Sequence, residues 1–176
     1  MKRTVALSSL AALVVVVALS AFLATRHPVS DATSAPSPLL GRAAPAVAGQ
    51  ELGGGTFKLS RDLGHVVVVN FWSSWCGPCV SEAPELSTFA WRERARGIDV
   101  VGVVFNDAVN AATSFARHYG SLYPSIVDPG GAIANRYGVI SPPTTFVIDR
   151  HGRVAVTLLG PVSAAQLEQV VARVRA

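Results

Sequence analysis

Residues 66–84 read VVVVNFWSSWCGPCVSEAP, and this stretch decides the fold. Val66 to Trp72 is an uncharged run of β-branched and aromatic side chains broken only by Asn70, the pattern of a strand buried on both faces of a sheet. It leads into Cys76-Gly77-Pro78-Cys79, which holds the only two cysteines of the chain. Beyond them Val80, Ala83, Leu86 and Ala90 recur at helical spacing, with Phe89 on the same side. A strand that delivers two cysteines to the start of a helix is the layout of a thiol–disulfide site. The helix dipole and the free amides of the first turn favour a thiolate on Cys76, and the two-residue spacer keeps Cys79 within bonding reach. Gly77 permits close approach of another chain, and Pro78 opens the helix without wasting a donor. The expected chemistry is exchange through a mixed disulfide: an exposed Cys76 attacks, and a more buried Cys79 resolves.

Outward from this centre, the helix is expected over about 77–96, with a kink at Pro84, where the backbone donor is missing and the Val80 carbonyl is crowded. Ile98 to Phe105 is a second buried strand, so strand, helix and strand form a crossover unit with parallel strands. A helix over about 107–119 follows, with Asp107 as its cap and Val109, Ala112, Ala116 and Tyr119 inward. Ser125 to Val127 reads as a short strand, 132–137 as a helical turn, and 146–148 with 154–159 as an antiparallel hairpin across Asp149-Arg150-His151-Gly152. Ser163-Ala164-Ala165-Gln166 fits a capping box that opens a closing amphipathic helix on Leu167, Val170, Val171 and Val174. Upstream, Gly53-Gly54-Gly55 is a hairpin turn before a short strand at 56–59.

The chain has 176 residues, room for one domain with appendages. Lys2 and Arg3 precede 21 uncharged residues, Val5 to Thr25. That run exceeds the roughly 7–15 apolar residues of a cleaved signal and matches the ~20 of a membrane span. Residues 1–25 are therefore expected to form a signal-anchor helix with the bulk of the chain outside the cytoplasm, Ala18-Leu19-Ser20 offering a cleavage site as the alternative. Residues 26–42, rich in Pro, Ser and Ala, read as a flexible tether, and 43–176 as the folded domain. That domain carries 11 basic and 10 acidic residues, net +1, which excludes an electrostatic nucleic-acid surface. His65, His118 and His151 show no zinc spacing, and no metal or cofactor is expected. A peroxidatic cysteine context is absent before Cys76.

The order of elements resembles the thioredoxin fold, a mixed sheet flanked by helices, and more closely the membrane-anchored TlpA/ResA-like thiol–disulfide oxidoreductases. The matching residues are VNFWSSWCGPC at 69–79, Glu82 and Pro84 after them, PTTFVIDRHG at 143–152, and an inserted strand–helix segment at about 98–128. The resemblance implies that Pro143 is a cis-proline facing the cysteines, in a loop that offers its backbone to an incoming peptide, with Trp75, Gly77, Pro78, Pro142 and Thr144 around it. Pro142 departs from the pattern, because it has no N–H to pair with a substrate strand. Asn70 stands where ordinary thioredoxins carry a buried carboxylate, and Glu82, in Cys-x-x-Glu-x-Pro, is the replacement the family pattern implies. The implied activity is reduction of disulfides outside the cytoplasm, apocytochrome c being the candidate partner and a membrane thiol carrier the electron donor. A disulfide-forming oxidase and a tethered adaptor without catalysis are the alternatives.

Overall fold

The computed structural model describes residues 14–18, 32–59 and 64–175. The chain divides into two units, Met1–Ser30 and Asp31–Ala176. In the first, residues 14–18 are helical; the rest of the expected anchor lies outside the described residues. Among the described residues no helix is long and apolar enough to cross a membrane.

The second unit is built on a six-stranded mixed sheet in the order β1-β8-β7-β4-β5-β6. At its centre β4 (Val66–Trp72) is buried at every position, and it runs parallel to β5 (Ile98–Val104), which pairs in parallel with β6 (Ser125–Val127). On the other side β7 (Thr144–Ile148) pairs antiparallel to β4, and β8 (Val154–Leu159) antiparallel to β7. A separate hairpin joins β2 (Ala48–Gln50) to β3 (Thr56–Lys58).

Helix α1 (Gly77–Glu93) connects β4 to β5 and is unbroken at Pro84, which lies on its solvent face where water can satisfy the freed Val80 carbonyl. Its buried face is Cys79, Glu82, Ala83, Leu86, Phe89 and Ala90; Val80, expected inward, is exposed. A short 3₁₀ turn (Arg94–Arg96) and Gly97, left-handed at φ 72°, turn the chain into β5. Helix α2 (Val109–His118) buries Ala112 and Phe115, leaving Val109 exposed. Asp107 does not cap it as expected; the first residue before the helix is Ala108, and the Asp107 side chain is engaged elsewhere. Helix α3 (Ala132–Tyr137) is held by the Asp128 carboxylate, which accepts the Ile133 and Ala134 N–H groups. Helix α4 (Ala164–Arg175) packs beside α1.

The domain starts earlier than expected. Strand β1 (Thr33–Ser34) pairs with β8, Leu40 and Ala43 bridge to Val154 and Arg153, and the Gln166 amide donates to the Ala32 carbonyl. Residues 33–42, read as tether, therefore cover the edge of β8. The pairing is through backbone groups, which leave no side-chain pattern to read.

The sheet separates two cores. One face packs Val66, Val68, Val100 and Val147 under α1 and α4. The other packs Val67, Val69, Phe71, Val101 and Phe146 against α3 and the hairpin.

Candidate active site

At its C-terminal end β4 places Trp72 against Phe115 of α2, rings stacked at 5.0 Å. The Trp72 indole N–H donates to Ser125 Oγ at 3.3 Å across Gly102, where an added Cβ would lie 2.6 Å from Trp72 Nε1. Glycine at 102 is thus required for the indole to cross the sheet. After Trp72 the chain turns, and the β5–α2 connection clamps it: Ser74 N–H donates to Asp107 Oδ2 at 2.6 Å, and the Trp75 indole N–H to the Asn106 carbonyl at 3.0 Å. Asn106 itself adopts the left-handed φ of 45°. This fixes Trp75, 57% exposed, as a platform beside the cysteines.

Cys76 is the N-cap of α1, with extended backbone and its Sγ accepting the Cys79 N–H at 3.2 Å. The two sulfurs are joined in a disulfide, Cα atoms 5.3 Å apart. Cys76, expected to be exposed, is only 4% accessible, and Cys79 is 1%. Capping its own helix draws the Cys76 sulfur in under the turn, while Gly77 and Pro78 beside it are exposed.

The Pro142–Pro143 peptide is cis. Since Phe71 and Thr144 are register partners, Pro143 lies at the same end of the sheet as the turn that carries the cysteines. Pro143 is buried and its carbonyl accepts the Gly160 N–H at 3.1 Å; Pro142 is half-buried. Thr144 is buried as well, its hydroxyl donating to the Ser141 carbonyl at 2.8 Å, so its side chain braces the loop from beneath.

Glu82, three residues past Cys79 on the buried face of α1, is 1% exposed. Its Oε1 accepts the Val162 N–H at 3.0 Å and its Oε2 accepts Asn70 Nδ2 at 3.0 Å. Burial pushes the carboxyl up from 4.5 to about 7, against the downward pull of the Val162 and Asn70 hydrogen bonds. A carboxyl raised to about 7 has the pKa that a group taking a proton from a buried thiol at neutral pH would need. The direct Asn70–Glu82 contact could be suspected from an amide in an otherwise apolar strand. The Val162 donor left no trace in sequence because it is backbone, and the Asn106–Asp107 clamp needed the fold. Of the described histidines, His65 is bonded to Asp99 at 2.8 Å and His118 lies edge-on to Tyr119.

A bonded cysteine pair at the start of a helix, on this sheet, is the arrangement of the thioredoxin-like thiol–disulfide oxidoreductases. The chain belongs to the Redoxin family, whose profile matches residues 39–171. It is 38% identical over 136 residues to a thiol:disulfide interchange protein DsbE homolog of Paracoccus denitrificans, covering 75% of this chain and 73% of that one. It is 30% identical over 135 residues to the thiol-disulfide oxidoreductase ResA of Bacillus thuringiensis, covering 77% of this chain and 78% of that one. Among solved structures, a secreted thiol-disulfide isomerase of Corynebacterium glutamicum superposes with a TM-score of 0.67 at 31% identity, over 74% of this chain and 84% of that one.

Proposed function

We propose that this protein reduces disulfides of partner proteins outside the cytoplasm, and that residues 1–25 tether it to the membrane. The observation that carries the reading is the Cys76–Cys79 pair at the start of α1, with Glu82 buried one helical turn beyond Cys79. In the reduced protein Cys76, at the positive end of α1, is the thiolate. It attacks one sulfur of the partner disulfide; the other partner sulfur leaves as thiolate and takes a proton from water. The Cys79 thiol gives its proton to ionised Glu82, and the resulting thiolate attacks Cys76 Sγ. The Cys76–Cys79 bond forms, the second partner thiolate leaves, and the partner gains two electrons that this protein loses. Trp75, Gly77, Pro78 and the Pro142–Pro143 turn receive the partner chain, with the Pro142 carbonyl as acceptor and no donor at that position. A membrane thiol carrier restores the reduced pair, and apocytochrome c is the candidate partner.

The secreted Corynebacterium relative supports the location. Direction of electron flow is tested by the reduction potential of the pair against a glutathione or dithiothreitol buffer. A value near the roughly −270 mV of thioredoxin, or lower, is expected; one near the roughly −120 mV of a strong oxidant would make the protein a disulfide donor. For the tether, the full chain is expected to pellet with membranes and a chain lacking residues 5–25 to remain in the supernatant.

A further inference from the structure

We infer that Asn70 is the positioning residue for Glu82: its amide, anchored by Thr145, fixes one carboxylate oxygen one helical turn past Cys79 and keeps the site to a single acid. The inference rests on the reading of Glu82 as the proton acceptor for Cys79.

Asn70 is fully buried on β4, and its two N–H groups are divided. One donates to Glu82 Oε2 at 3.0 Å and the other to Thr145 Oγ1 at 3.0 Å. With Val162 N–H on Oε1, the carboxylate is held from β4 and from the β8–α4 connection, while Thr145 on β7 holds the holder. Neither carboxylate oxygen can then swing without breaking a buried hydrogen bond. The arrangement carries a cost: Asn70 Oδ1 is buried with no partner, where four valines precede it on the same strand. A valine at 70 would avoid that cost, so stability alone does not explain the amide. Nor would an aspartate serve, since a second carboxylate about 3 Å from Glu82 would force the two acids to share one proton.

The groups that face Glu82 bear this out. Asn70, Thr145 and Val162 contribute no titratable group; Cys79 lies on its own helix. Tyr123, from the α2–β6 connection, is pushed up by burial first and then by the Glu82 charge, so it stays neutral. Glu85, one helical step on, is exposed and accepts the Ala164 N–H at 2.9 Å. Within this set the Asn70 amide is the side-chain donor that favours the ionised form of Glu82.

The test uses the full chain, reduced, and follows its oxidation by oxidised glutathione through tryptophan fluorescence from pH 5 to 9. Asn70→Leu removes both N–H groups, and Thr145→Val removes only the anchor in an isosteric side chain. Asn70→Leu is expected to move the Glu82-dependent midpoint upward by about one pH unit, and so to slow the reaction about tenfold on the acid side of the new midpoint. Thr145→Val is expected to move it the same way by less, and it decides the matter if Asn70→Leu does not fold. In a Glu82→Gln background neither substitution should move the profile further. If Glu82→Gln leaves the parent profile unchanged, the acceptor reading fails and this inference with it. If Glu82→Gln changes the profile while Asn70→Leu and Thr145→Val do not, Asn70 alone loses its role.

Discussion

Asn70 and Phe71 are consecutive on β4 and equally sealed from solvent, yet they face opposite sides of the sheet. On the Phe71 side, the rings of Phe71, Tyr137 and Phe146 pack with centroids 4.9–5.8 Å apart among aliphatic neighbours. On the Asn70 side, an amide, a hydroxyl and a carboxyl share hydrogen bonds in the buried interior. Removal from water stabilises the first group and destabilises the charged form of the second. The same burial that holds the rings together carries the Glu82 carboxyl from 4.5 to about 7. One face of the strand packs an apolar core, and the other buries an acid whose pKa that burial raises.

The comparison is sharpened most by the sulfurs themselves. Cys76→Ser should abolish disulfide exchange, and Cys79→Ser should accumulate a covalent mixed disulfide with partner, visible on non-reducing gels; accumulation with Cys76→Ser instead would reverse their roles. Next comes the apolar face. Phe71→Ala should cost about 3–5 kcal/mol in denaturant melts, leaving the rate per folded molecule unchanged. If that rate fell as far as in Glu82→Gln, the division of labour between the two faces would be wrong.

On the polar face, Glu82→Gln should slow resolution by Cys79 about a hundredfold at neutral pH. Its stability signature has the opposite sense from an ordinary ion-paired acid. Because the folded pKa lies above the unfolded one, the folded chain holds the extra proton between pH 4.5 and about 7, and stability falls as pH rises through that window. Melts across it should show the decline in the parent and its absence in Glu82→Gln. The smallest effect is expected far from both faces: Arg92 meets Glu168 at 3.2 Å with both side chains largely exposed, and Arg92→Ala should cost less than ~1 kcal/mol.

Much of this was legible in the chain. The valine run, the cysteine spacing and the helical period of α1 each follow from a local rule, and Glu82 stood out by its offset from Cys79. Other parts were not. Val80 and Val109 are apolar and at plausible spacing yet lie outside: Val80 shares the solvent face of α1 with Pro84 and Thr88, opposite the buried Cys79, and Val109 is the first residue of α2. Asp107 looks like a cap and serves instead as the acceptor for Ser74, a partner 33 residues away. Residues 33–42 carry the composition of a linker and become an edge of the sheet.

By itself the sequence determined the central strand–helix–strand unit and the two cysteines at its turn, since periodicity and spacing are local properties, and the resemblance pointed to Glu82. Only the tertiary structure decided how that acid is held. The Val162 amide and the Thr145 anchor come from distant segments, as does the Asn106–Asp107 clamp on the turn that carries the cysteines. Hydrogen bonds of that kind depend on distances between strands, and those distances exist only once the sheet has closed.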